Sequence, residues 1–195
     1  VDAVNFTSGL NVTGVSTATN VSTASSVTAG TFYGNGAGLS NVTAGLLLRK
    51  TAYDIPRQSI GHAGFPLDDT IPQISEGTEF FSQAYTPSTA NCDLYIYCSA
   101  GIRERTNVAD DVGMALFISD QTDALRVVTG FMQGYGHGEH LHLYHKMPSW
   151  GVSAKTFSLR AHKANSINYA GYGYAAEHFG DSTHSSLFII EEIAT

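Results

Sequence analysis

The chemistry-bearing residues crowd into one stretch, Gly136-His137-Gly138-Glu139-His140-Leu141-His142-Leu143-Tyr144-His145. His140 and His142 stand two positions apart, so an extended backbone turns both rings to one face. A short turn, 148–154, leads to a second alternating run, 155–163. A hairpin in which Met147 opposes Lys155 sets His162 across from His140 and Arg160 across from His142. Three imidazoles then converge, and imidazole ligates zinc, copper, iron and nickel. His140, His142 and His162 are therefore the candidate metal ligands. Arg160 opposes that reading, because its fixed positive charge repels a cation. The alternatives are a ligand-free surface or interface cluster and a polar receptor contact, and the expectation is a chain without a cofactor.

Aromatic residues form the second set: Tyr135, Tyr144, Trp150, Tyr169, Tyr172 and Tyr174. Exposed Tyr and Trp can stack on the sugar rings of a cell-surface polysaccharide, and turns such as the one holding Trp150 are where binding residues concentrate. Trp150, Tyr135, Tyr144, Tyr172 and Tyr174 are the candidate receptor-binding residues, against packing inside the head or between subunits. Carboxylates are plentiful at Asp110, Asp111, Asp120, Asp123, Glu139, Glu177 and Asp181. Glycoside hydrolysis needs two of them held at a set separation across a cleft, and nothing marks such a pair. The sequence carries no nucleotide loop, serine elbow, zinc-type Cys set or Cys-His nucleophile pattern. The expectation is a binding protein without catalytic residues, not an enzyme.

Cys92 and Cys98 lie on one strand-like run. Six residues of strand separate them by about 20 Å, far beyond the roughly 7 Å a disulfide spans. They share a face with Leu94 and Ile96, so two buried free thiols are expected.

The net charge of −7 argues against a nucleic-acid or anionic-membrane binder, since both need a basic face. No apolar run, Leu46-Leu47-Leu48 included, approaches the roughly 20 residues of a membrane helix. The chain starts at Val1 in mid-pattern without an initiator Met or signal peptide, as a piece of a longer protein would.

These residues must be positioned by strands. From residue 48 to 195 runs of alternating hydrophobicity recur between turn signals: 79–86, 93–99, 112–119, 125–132, 139–147, 155–163, 167–174 and 185–193. In 139–147, Leu141, Leu143 and Met147 share one face, and His140, His142, Tyr144 and Lys146 the other. In 155–163, Phe157, Leu159 and Ala161 point in, and Thr156, Ser158, Arg160 and His162 out. About eight strands predict an all-β sandwich, most simply a jelly roll. The last run is apolar on both faces, Leu187, Ile189 and Ile193 against Phe188 and Ile190, as for a central strand or one facing a partner. Phe188 and Ile190 are the expected trimer contacts in the head.

Residues 1–47 differ in kind. Asp2 is the only charge there, and Asn-x-Ser/Thr units recur at Asn5, Asn11, Asn20 and Asn41. Their Ser, Thr, Val and Gly are poor helix formers. Each unit places one apolar residue between small polar ones. A single chain cannot cover so narrow a stripe, so several chains must enclose it, unless the stretch is a flexible linker. The expected organisation is a repetitive trimeric β-stalk, 1–47, and a head, 48–195.

The junction, Phe32-Tyr33-Gly34-Asn35-Gly36-Ala37-Gly38-Leu39-Ser40-Asn41-Val42, resembles a Gly-Asn/Asp-Gly-x-Gly-Leu-x-Asn-Leu/Val motif of bacteriophage tail-fibre proteins. The run Leu67-Asp68-Asp69-Thr70-Ile71-Pro72-Gln73, with Glu76-Gly77-Thr78-Glu79, is similar to the opening of C-terminal domains in phage fibre proteins. With the closing 188–193, that similarity spans most of 51–195. It implies a homotrimeric head like the jelly rolls of the tumour necrosis factor superfamily, carried on a virion. Phe32, Leu39 and Val42 would plug the trimer at the junction. The partners implied are two further copies, a host cell-surface polysaccharide or protein, and the rest of the fibre or baseplate, with no nucleic acid and no membrane insertion. The function implied is receptor binding; the alternatives are a structural decoration or trimerisation domain of a capsid, neck or fibre, and a polysaccharide-degrading tailspike enzyme. The His-x-His pair also resembles those that bind iron along some phage fibre tips, and those of cupin enzymes, whose downstream carboxylate is not in place here.

Overall fold

The computed structural model describes residues 45–59, 64–66, 68–103, 110–132, 138–163, 169–170 and 186–195. All belong to one unit, Asn41–Thr195. Stalk residues 1–44, with the plugs Phe32, Leu39 and Val42, and the candidate receptor residues Tyr135, Tyr172 and Tyr174 lie outside the described residues.

Ten strands and no helix make up the described residues: β1 (Leu47–Ile55), β2 (Gln58–Ser59), β3 (Thr78–Tyr85), β4 (Cys92–Arg103), β5 (Asp110–Ile118), β6 (Arg126–Met132), β7 (Gly138–Pro148), β8 (Lys155–Lys163), β9 (Tyr169–Ala170) and β10 (Ser186–Ala194). The long strands form two antiparallel sheets, β1-β10-β4-β7 and β3-β8-β5-β6, with the short β9 and β2 joined at the far end of β4. Successive strands cross between sheets at nearly every turn, which is the winding of a jelly roll.

Strict alternation drives this layering. Leu94, Ile96, Cys98, Ala100 and Ile102 of β4 are fully or almost fully buried against Val112, Met114, Leu116 and Ile118 of β5 and Phe157 and Leu159 of β8. Phe188 sits at the centre, with ring centroids 5.2 Å from Phe81 and 5.8 Å from Phe157. Burying one such side chain stabilises the fold by about 1.5–3 kcal/mol. Cys92 and Cys98 are buried free thiols on this inner face.

Two expectations are corrected. β7 does not pair with β8. It pairs with β4 over eleven positions, from Asp93↔Pro148 to Arg103↔Gly138, while β8 lies between β3 and β5 in the other sheet. The 149–154 turn is thus a crossing between layers, because the apolar faces of β7 and β8 must oppose each other across the core rather than share a sheet. Phe188 and Ile190 are not available to a neighbouring subunit either: both are 0 % exposed within a single chain. The other side of β10 carries Leu187, Ile189 and Ile193, all half-buried.

The outer face of β3-β8-β5-β6 is also covered. Phe65 is buried there with Ala115 and Phe117, and Ile74, Ala124 and Val127 pack around them. Backbone bonds from Ala124 N to Pro72 O (2.9 Å) and from Ile74 N to Thr122 O (2.7 Å) tie the 71–77 stretch to the β5–β6 turn. This explains why every residue from Val112 to Ile118 is buried, a pattern no one-sided strand would show.

Candidate functional site

Three of the sequence-selected side chains, His140, His142 and Tyr144, lie on the outer face of β1-β10-β4-β7. Register places residues of the four strands in rows. One row runs Ala52–Ile189–Tyr97–Tyr144, and the next runs Lys50–Glu191–Tyr95–Lys146. A third runs Asp54–Leu187–Ser99–His142, with His140 beyond it opposite Gly101. Alternation along each strand explains the composition, since the buried face takes the aliphatic set and leaves these outside.

Tyr97 and Tyr144 are each 42 % exposed and their rings lie 5.0 Å apart, with Tyr95 6.2 Å from Tyr144. Tyr97, Ser99, His142, Tyr144, Leu187 and Ile189 surround a shallow, almost wholly apolar hollow of about 250 Å³. At one end the charges are paired: Lys50 Nζ with Glu191 at 2.8 Å and Lys146 Nζ with Asp93 at 2.7 Å. The bond to Asp93, and then contact with Tyr95, raises the Lys146 pKa.

At the other end His140 and His142 do share a face, with ring centroids 5.1 Å apart. Ser99 Oγ lies 2.6 Å from His140 Nε2. Burial first, and the neighbouring His142 second, lower the His140 pKa. The pair could offer two nitrogens to a cation, but His162 does not complete a triad. It lies on the opposite sheet, almost fully buried, where its Nδ1 accepts a 2.7 Å hydrogen bond from Phe65 N–H and its ring stacks on Phe65. Among the described residues no group of three or more His, Cys, Asp or Glu could hold a metal ion. Arg160 is likewise turned to the covered face, donating to the carbonyls of Glu76 (2.6 Å) and Gly77 (3.0 Å).

Trp150 is half-buried and its ring is already in use. Nε1 donates to Ser153 O at 2.9 Å, one edge meets Phe157 at 5.7 Å, and Lys155 Nζ lies 5.0 Å from the ring centre. Its geometry closes a turn. A larger hollow of about 470 Å³ opens beside β1, β2 and β3, edged by Asp54, Gln58, Glu79, Ser82 and Gln83. Tyr97, Leu187 and Ile189 are the site residues that reasoning from sequence passed over. The signal for the last two was present in the two-sided apolar pattern of β10, from which the other face was selected.

No protein-family model matches the chain, and no characterised protein matches it by sequence. Among solved structures, the infectious bursal disease virus Gt strain structure is similar over 76 % of this chain and 40 % of that one, at 8 % identity and a TM-score of 0.38. The VP2 subviral particle of infectious bursal disease virus is similar over 75 % and 40 %, at 9 % identity and a TM-score of 0.34. The chain therefore spans about 40 % of the length of those chains.

Proposed function

We propose that the chain is part of a homotrimeric phage fibre whose jelly-roll head attaches the virion to the host cell surface. One observation carries this reading. The Gly-rich junction ends at Val42, and the first strand of a complete jelly roll begins at Leu47, so the break in composition and the start of the fold nearly coincide. An uncharged, repetitive segment leading straight into a rigid sandwich is how a shaft carries a head. The head works by binding rather than turnover, without a resident metal or cofactor. Its contacts are individually weak, and three heads on each of several fibres raise avidity by about 10²–10⁴ where geometry allows. Labelled full-length protein is expected to co-sediment with susceptible cells and not with resistant ones. Equal recovery with both, or with neither, overturns host attachment and leaves a structural role in the virion.

A further inference from the structure

The chain treats the two outer faces of its sandwich differently. Phe65 and the 71–77 stretch cover β3-β8-β5-β6. Over β1-β10-β4-β7, no described segment covers the row Ala52–Ile189–Tyr97–Tyr144 or the hollow beside it. We propose that a second copy of this chain covers that face. The proposal rests on the homotrimer in the reading above and names the surface that makes it.

Charge favours a like partner. The protein carries a net −7, so two copies repel at most approaches. On this face Lys50 and Lys146 offset Glu191 and Asp93, each in a formed pair, and among the described side chains Asp54 is left over at the β1 edge. A neutral, aromatic and aliphatic surface on an acidic protein is one that copies of the same chain can share. An acidic partner gains nothing there, and a basic partner finds Glu191 and Asp93 already taken. Aromatic residues at the centre with paired charges at the edge also match the composition of protein interfaces. Position adds to this: Gly45, the first described residue, donates its N–H to Ala194 O at 2.9 Å beside the first residues of β1, so the chain enters the fold at this sheet. Any association of the stalks therefore raises the effective concentration of this face. Tyr144 then becomes a contact between copies and not a receptor contact.

The test uses the full chain. Its mass is measured by light scattering, and its tyrosines are labelled with hydroxyl radicals and read by mass spectrometry. The expected result is a multimer in which Tyr97 and Tyr144 label severalfold more slowly than rings left 42 % exposed by the fold alone would, with the urea-unfolded chain as the fully exposed reference. Ile189→Lys is expected to lower the mass and expose both rings. A multimer in which Tyr97 and Tyr144 label at about two-fifths of their rate in urea, as rings 42 % exposed would, overturns this surface and leaves the homotrimer standing. A monomer at every concentration overturns both. If Ile189→Lys does not fold, labelling of the unaltered multimer decides alone.

Discussion

Phe65 and His162 are held face to face, with ring centroids 5.4 Å apart at an interplanar angle of 13°, while the Phe65 N–H donates to His162 Nδ1 at 2.7 Å. One histidine thus fixes both the backbone and the ring of the residue that roofs an entire sheet. It was expected to be a surface ligand. It is a latch between β8 and a loop 97 residues earlier in the chain.

His162→Leu keeps the bulk and removes the acceptor, leaving a buried N–H unpaired. A loss of about 1–3 kcal/mol is expected in urea unfolding. An unchanged midpoint would show that the latch carries no stability.

Gly77 stands at φ +68 under the same ring, and a Cβ there would come within 2.4 Å of Phe65 Cε1 and 2.9 Å of Ala161 O. Gly77→Ala combines left-handed strain with a clash against backbone. About 2 kcal/mol or more of destabilisation is expected, visible as a lower melting temperature. A neutral effect would mean that the roof moves freely over β8.

Glu192 is buried and accepts from Tyr85 OH at 2.7 Å, from Ser88 N at 3.0 Å and from the Ser88 hydroxyl, with Arg49 beside it. Burial alone would raise its pKa, but the bonds from Ser88, Tyr85 and Arg49 outweigh that and hold it below the usual carboxylate range. The unfolded chain therefore takes up this proton first. The stability it contributes is complete above the unfolded value of 4.5 and is lost as pH falls through the folded one. Glu192→Gln should flatten the acid limb of a stability–pH curve and cost about 2 kcal/mol near neutrality, discounted because Arg49 is partly in water. Identical acid limbs in the two proteins would remove Glu192 from the explanation.

Burial raises the pKa of the Cys98 thiol well above the ordinary range, and burial likewise leads the rise at Cys92. Neither should react with a neutral-pH thiol reagent until the sandwich opens. Two equivalents should react in urea, and rapid labelling of the folded chain would contradict the placement of both side chains.

Adjacent positions on β10 should separate core from surface. Phe188→Ala is expected to cost about 3–5 kcal/mol in unfolding, as buried Phe truncations do. Ile189→Ala, on the outer face, should cost far less. The reverse order would place the core on the other side of the strand.

Most strands were legible because period-2 alternation is a local signal. The faces of 139–147 and 155–163 followed from the same rule, and both hold for the inner residues. Pairing was not legible. Nothing local distinguishes a turn that makes a hairpin from one that carries the chain across to the other sheet, and the 149–154 turn does the second. β1 was missed because its outward residues include Lys50 and Asp54, so only one edge of the run looks apolar. The 68–79 motif was visible as a motif but not as a device. Its polar atoms bond within the loop, Thr70 N to Asp68 Oδ1 at 2.9 Å and Gln73 N to Glu76 Oε2 at 2.8 Å, and Gln73 Nε2 reaches Asp123 at 2.7 Å. Such residues build a roof, and a roof needs a sheet that sequence alone does not place beneath it.

The place of β10 between β1 and β4 sets an order on synthesis. Among the described strands β1 has no other partner, so Leu47 waits for Ile193 and Ile55 for Ser186. A ribosome must deliver Ser186–Ala194 before the sheet can close. Closing so long a loop is entropically slow. A chain released early would lack Phe188 and Ile190, two fully buried side chains of its core, leaving chaperones and proteases to clear a product that cannot close its sandwich.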